Sequence, residues 1–307
     1  MKISGYTTTY NCIEMDYPLG LCLNSLFSFC DEVCIADGGS DDGTLDFIRE
    51  HFPKAKLKVA PIDFSEARWA IHADGDLKNK ARNLCSGDVL WHADNDEIVD
   101  ERHYSEARRV CEIFKNTGLS KVGMVNFREF WGGLNKLRAD VKLRPAVSLA
   151  AANLQIGIPH YALGIDEDGE KFCKPFKSDS CQYLTENGNT AGFASLSNTP
   201  LQIWHLSWLD FKRKISHYRD FWHAFHASMY NLKLEDSPEN NVMFDKKWSE
   251  IKDEDIQEMS TTLDRLGPRS FHTKQRKWTG PVEYINKNAI PNSIINWASE
   301  RGIEYEN

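Results

Sequence analysis

Four short apolar runs, each joined to the next by residues at helical spacing, constrain this chain more than any other feature. "KISGYTT" (2–8) reads as a strand, after which Leu19, Leu23, Leu26 and Cys30 fall on one face of a helix. "EVCIAD" is a second strand and "GTLDFIREHF" a short helix. "LKVAP" is a third strand closed by Pro61, "DLKNKARNLC" a helix, and "DVLWHAD" a fourth strand. Strands separated by helices predict the α/β class, with a mainly parallel sheet and helices on both faces. In such sheets ligands bind beyond the carboxyl ends of the strands. Three of those ends are polar here: Thr7 to Asn11, Asp37 to Asp42, and Asp94 to Glu97.

Further along, "KVGMVNF" reads as a strand, and "REFWGGLNKLRADVKLRP" as a strand-loop-strand unit turning at Gly132-Gly133. Residues 150–200, rich in Gly, Asn, Ser and Pro, predict loops and short strands, and "PLQIWHLSW" (200–208) another strand. Phe211, Ile215, Tyr218, Trp222, Phe225 and Met229 then mark an amphipathic helix from Leu209 to Tyr230. "SEIKDEDIQEMSTTLDRL" and "PNSIINWASERG" read as two more helices, the second ended by Gly302.

A net charge of −8 argues against a phosphate-tracking surface, and so against nucleic acid as a partner. "KRK" (212–214) and "KQRK" (274–277) read as solvated faces or loops. The eight cysteines form no CxxC pair, and they read as small buried hydrophobes in a reducing compartment, with a Cys173–Cys181 pairing left open. The first residues lack the apolar core of a signal peptide, and no run of about 18 apolar residues suggests a membrane span. The expectation is a cytoplasmic protein without an integral membrane segment, peripheral association with the inner membrane being left open.

"LWHADNDEIVD" (90–100) sets Asp94, Asp96 and Glu97 directly after an apolar run. Such a cluster is either a strand finishing in water or a site for a hard divalent cation and phosphate oxygens. "ADGGSDDGT" (36–44) is of the same kind: its glycines let the backbone approach a ligand, and a helix begins just after it. It is not an EF-hand loop, because with Gly43 at the required glycine position Gly38 would be the first ligand. It is neither a Walker loop nor a GxGxxG fingerprint.

Together "TTTYN", "ADGGSDDGT", "KARN" and "WHADNDE" resemble, in order, the motifs of family 2 glycosyltransferases of the GT-A fold. "LRP" around Arg144, "PHY" around His160 and "WHLSW" (204–208) look like later segments of enzymes that extend lipopolysaccharide cores. Thr8 stands where proline is usual, and Tyr161 where glutamate follows the histidine. The resemblance implies a catalytic domain over 1–208, its nucleotide half about 1–100 and its acceptor half about 101–208, with a helical region over 209–307 packed on it. Thr9, Tyr10 and Asn11 would line the nucleotide pocket, and Asp37 would accept a hydrogen bond from the base. Lys80 or Arg82 would meet the diphosphate, Asp94 the ribose or metal, and Asp96 with His205 would hold Mn²⁺ or Mg²⁺.

The implied reaction is inverting transfer from a nucleoside-diphosphate sugar, most simply a UDP-sugar, to an acceptor hydroxyl in lipopolysaccharide, capsule or another glycan. Inverting transfer calls for a carboxylate base. Glu129, Asp166, Glu167 and Asp168 are the candidates, with Asp166 or Glu167 preferred, although "GIDEDGE" reads equally as a solvated turn. Trp131 and Trp204 could offer sugar-stacking faces, although burial is the commoner fate of tryptophan. His223 and His226 fall on the polar face of the long helix. The alternative readings are a non-catalytic nucleotide- or glycan-binding module and a glycosyltransferase acting on a non-glycan acceptor. A sugar nucleotidyltransferase would need a Gly-rich loop with a basic residue after the first strand, which "TTTYNCIEMDYP" lacks.

Overall fold

The computed structural model describes residues 1–62, 70–116, 121–157, 163–165, 171–173, 182–185, 190–222, 238, 244, 246–266 and 281–306. The first hundred residues run β1 (Ile3–Thr9), α1 (Leu19–Phe29), β2 (Glu32–Asp37), α2 (Thr44–His51), β3 (Lys56–Val59), α3 (Ala70–Arg82), β4 (Val89–His92) and β5 (Glu97–Val99). These are the expected elements, except that α3 begins at Ala70 and stops at Arg82 and that β5 is unexpected. Next come α4 (Tyr104–Lys115), β6 (Lys121–Glu129), β7 (Lys136–Arg138) and β8 (Leu143–Leu149). Five short strands lead on: β9 (Gln155–Gly157), β10 (Leu163–Ile165), β11 (Lys171–Cys173), β12 (Gln182–Leu184) and β13 (Gly192–Ser195). The remainder is β14 (Gln202–His205), α5 (Phe211–His217), α6 (Asp253–Leu266), β15 (Val282–Tyr284) and α7 (Asn292–Ser299).

A nine-stranded sheet is the centre of the molecule, in the order β3-β2-β1-β4-β8-β6-β14-β5, with β13 also on β6. Strands β1 to β4 are mutually parallel, as are β6, β13 and β14, whereas β8 and β5 run against their neighbours. The fold is therefore α/β with a mostly parallel sheet. Its inner strands are apolar on both faces because both are covered. On β2, Val33 and Ile35 pack with Leu23 and Leu26 of α1, while Cys34 and Ala36 pack with Leu77 and Ala81 of α3. Helix α4 joins α1 through Val110, Cys111 and Phe114. This alternation follows from the period of two along a strand.

The chain steps outward from β1 to β2 to β3, then returns to place β4 on the other side of β1. Strand order thus reverses at the β1/β4 boundary, where open α/β sheets leave a crevice. Both strands end there, β1 in Thr9, Tyr10 and Asn11, and β4 just before Asp94.

The loop at Gly132 turns as expected. Its φ of +70° is in the left-handed region, and its N–H donates to Trp208 O at 2.7 Å. Helix α5 starts at Phe211, where Asp210 caps it by accepting from Arg213 N at 3.2 Å. It widens into a π-turn over Tyr218–Trp222, and the rest of the expected Leu209–Tyr230 helix lies outside the described residues. Helix α6 begins at Asp253 rather than Ser249, after a 3₁₀ turn at Trp248–Glu250. Residues 281–306 fold back on the sheet: β15 pairs with β7, and Ile294 and Trp297 of α7 pack with Ile98, Phe130 and Trp204. The region after 209 therefore includes a strand as well as helices. No described helix is long and apolar enough to cross a membrane. The cysteines at 12, 22, 30, 34, 85 and 111 are free thiols, whereas the Cys173–Cys181 question lies outside the described residues.

Candidate active site

The first two polar loops are laced into one unit. Asp37 is fully buried and accepts from Thr9 Oγ1 (2.7 Å), Gly39 N (2.9 Å), Ser40 N (2.8 Å) and Ser40 Oγ (2.6 Å). The backbone reaches this geometry through Gly39, whose φ is +95°. Asn11, itself left-handed at φ 43°, exchanges side-chain bonds with Asp41 in both directions (3.0 and 3.1 Å). Its N–H also donates to Ser40 Oγ at 2.9 Å. Tyr10 is half-buried beside Gly38, and burial, followed by the nearby Asp41 and Glu14, raises its hydroxyl pKa. In this structure Thr9, Asn11 and Asp37 brace the rim of the crevice.

After β4, a turn closed by Glu97 N donating to Asp94 O (3.0 Å) separates two carboxylates that point to different partners. Asp94 Oδ1 lies 3.1 Å from Lys78 Nζ, and its Oδ2 lies 2.5 Å from Arg144 Nη2. The same guanidinium sends Nε to Glu97 Oε1 at 2.5 Å, while Glu97 Oε2 accepts from Asp94 N at 3.0 Å. Burial would raise the Asp94 carboxyl, but Lys78 and then Arg144 pull it well below the usual range. Glu97 goes the other way: burial raises it, and the charge of Asp94 opposes the pull of Arg144. Asn95 turns back to donate to Cys12 Sγ at 3.1 Å, tying this turn to the β1–α1 segment.

Asp96 belongs to a second web. Its Oδ1 lies 3.3 Å from His205 Nε2, and His205 Nδ1 lies 3.0 Å from Glu129 Oε1. Glu129 Oε2 meets Arg138 Nη1 at 2.9 Å, and Arg138 also pairs with Asp140. Strand register builds this row, because β14 sets His205 opposite Glu129 on one side and Glu97 on the other. Burial opposes charge at both ends of the first pair. His205 nevertheless brings Asp96 down to about 2, and Asp96 takes the imidazole up to about 10.

The Asp96–His205 pair suits a divalent cation. Two cis ligands of an octahedral ion with bonds of about 2.1 Å lie about 3 Å apart, close to the 3.3 Å between Oδ1 and Nε2. No group of three or more His, Cys, Asp or Glu residues forms a metal shell among the described residues. The described residues would thus supply two donors and leave the others to phosphate oxygens and water, a common arrangement for Mg²⁺.

Of the basic candidates on α3, Lys80 is half-buried, and Arg82 donates to Leu149 O at 3.3 Å with its buried Nε unsatisfied. The ammonium that reaches Asp94 is that of Lys78, which the sequence reading missed. It also missed what Glu97 holds and the pairing of Glu129 with His205. No local signal singled out Lys78 from Lys80 and Arg82. Asp166, Glu167 and Asp168 lie outside the described residues, as do His160, Tyr161, His223, His226 and the basic run at 274–277. Trp131 and Trp204 are buried at 1 % exposure, so neither offers a face to a sugar. Arg213 donates inward to Asp16 O and Leu206 O, and Lys214 to Ser207 Oγ, so "KRK" is not a solvated run. A cavity of about 420 Å³ lined by Glu14, Met15, Asp16, Arg213, His217 and Trp297 shares no residue with either web.

No family model matches the sequence, and no curated protein sequence matches it. Among solved structures, the chain is similar to residues 1–349 of TarS from S. aureus at 14% identity and a TM-score of 0.41, over 88% of this chain and 93% of that one. The same protein in complex with UDP-GlcNAc gives 14% and 0.38 over 85% and 71%. The mannosyltransferase PcManGT from Pyrobaculum calidifontis, in complex with GDP-Man and Mn²⁺, gives 22% and 0.29 over 42% and 36%. At these identities and scores none of them assigns a reaction or a residue to this chain.

Proposed function

We propose that this chain is a metal-dependent, inverting glycosyltransferase that moves a sugar from a nucleoside-diphosphate sugar, a UDP-sugar in the first instance, to an acceptor hydroxyl. One observation carries the reading. At the crevice where strand order reverses, one turn presents Asp94 to two cations and Asp96 to a histidine at ligand spacing. Three of the four motifs that resemble family 2 glycosyltransferases fall on this edge of the sheet, whereas "KARN" ends α3 toward the other edge, where Arg82 donates to Leu149 O.

Thr9, Tyr10 and Asn11 form the rim against which the nucleoside rests, and Asp37 holds that rim by its four internal bonds. Lys78 and Arg144 take the part expected of Lys80 or Arg82, setting positive charge beside the leaving diphosphate. Asp94 fixes both cations in place. Asp96 and His205 would hold Mn²⁺ or Mg²⁺, which when bound compensates charge growing on the diphosphate. Glu129 has both oxygens engaged, by His205 and Arg138, and is a poor base for the acceptor hydroxyl. Asp166 or Glu167 takes that role. The acceptor class is a glycan, lipopolysaccharide or capsule by resemblance.

The test is UDP release from a UDP-sugar panel with Mn²⁺, with and without acceptor glycans. The wild-type chain should release UDP and Asp96→Ala should not. Unchanged release by that variant would remove the metal assignment, and no release from any nucleotide sugar would leave a binding module in place of an enzyme.

A further inference from the structure

Glu129 is only 5 % exposed, yet both its carboxylate oxygens are in use. Oε1 faces His205 Nδ1 at 3.0 Å, and Oε2 is held by Arg138 Nη1 at 2.9 Å. Arg138 is in turn fixed by Asp140 at 2.9 Å, so Glu129 cannot swing away without breaking a second ion pair. Its backbone is fixed as well, by the parallel register that pairs Glu129 with His205 across β6 and β14. Phe127 lies against the imidazole with ring centroids 5.2 Å apart, which limits rotation of the ring.

An ionised carboxylate only accepts hydrogen bonds, so the nitrogen facing it must carry the proton. With a cation taken up at Nε2, the ring would be neutral and its one proton would stay on Nδ1, donated to Glu129 Oε1. We propose that Glu129 is a positioning residue. By fixing the tautomer and plane of His205, it sets the affinity of the Asp96–His205 pair for a divalent cation. This rests on the metal-dependent reading above and adds to it a residue that touches neither substrate nor ion. Outer partners of this kind typically change metal affinity by about 10–100-fold when removed.

The experiment is Mn²⁺ binding to the full chain with UDP present, read by electron paramagnetic resonance, together with imidazole ¹⁵N shifts of His205 in the protein saturated with diamagnetic Mg²⁺. Glu129→Ala should weaken Mn²⁺ binding by about 10–100-fold and lose the single Nδ1–H tautomer signature. Glu129→Gln, whose amide oxygen can still accept from Nδ1–H, should recover much of both. That variant also keeps the test open should Glu129→Ala fail to fold. Wild-type affinity and an unchanged tautomer in the variants would overturn the role of Glu129 alone. A wild-type chain that binds no Mn²⁺ would overturn the metal reading, and this role with it.

Discussion

Lys78 Nζ stands 3.1 Å from Asp94 Oδ1 and 3.1 Å from Asp74 Oδ2, so one buried ammonium joins helix α3 to the turn after β4. Helix α3 thereby adds a second cation to the one that Arg144 brings from β8. The two reach Asp94 from different elements, and each holds a different oxygen of its carboxylate.

Replacing Lys78 with alanine removes one of two charges placed to meet the leaving diphosphate. An electrostatic group of this kind is worth roughly 100-fold in turnover, so kcat/KM with the best UDP-sugar should fall by about that factor. Lys78→Arg should retain part of it. Steady-state kinetics on both variants, with circular dichroism as a folding control, checks this; wild-type kinetics in Lys78→Ala would show that the ammonium serves only the fold.

Asp37→Ala should act on stability and nucleotide binding together. It strands two half-buried backbone N–H groups and two hydroxyls that now donate to one carboxylate. With about 1–3 kcal/mol for each donor left unsatisfied, and partial relaxation of the loop, a loss of about 3–5 kcal/mol follows. Urea unfolding measures it, and UDP titration should show weaker binding in whatever fraction remains folded.

His217 gives a pH signature distinct from the carboxylates. Burial, then Lys214 and Arg213, lowers its pKa to about 3 from an ordinary value of 6.5. The folded state keeps it neutral while the unfolded chain takes up a proton below about 6.5. Stability is thus complete above that pH and drains away as pH falls toward 3. Between pH 7 and pH 5 the loss from this group is about 2 kcal/mol. Wild type minus His217→Phe, measured by denaturant unfolding at both pH values, should show that difference; parallel pH dependence in the two proteins would refute it.

Gly132→Ala should destabilise the β6–β7 turn. The φ of +70° costs a side-chain-bearing residue about 1 kcal/mol, and the added methyl would press into the Phe211 ring. The thermal midpoint should fall by several degrees. An unchanged midpoint would mean that Phe211 moves aside freely.

The three polar strand ends were legible because each is local: an apolar run stops and a polar run starts. Their meeting at one edge follows from parallel strands alone. Lys78 was not legible in the same way, because "KNKAR" offers basic groups at 78, 80 and 82 and only the phase of α3 on the sheet chooses among them. That phase is fixed by Leu77 and Ala81 packing against Tyr6 and Cys34. The Glu129–His205 pair depends on a register between strands that are distant in sequence, and no local pattern encodes it. Trp131 and Trp204 showed only that large aromatics were present; the hydrophobic clusters beneath them decided their burial.

Arg301 meets Asp16 at 2.8 Å across 285 residues of chain, Arg213 donates to Asp16 O at 2.6 Å, and Arg102 donates to Ala289 O at 2.6 Å. The segment joining β1 to α1 is thus fastened by residues 197 and 285 positions further along the chain. During synthesis the first hundred residues can form their parallel strands early, while the stretch at Asp16 waits for Arg213 and Arg301 to clasp it. Fixed order at Asp16 should appear late on the growing chain, well after the strands that support it.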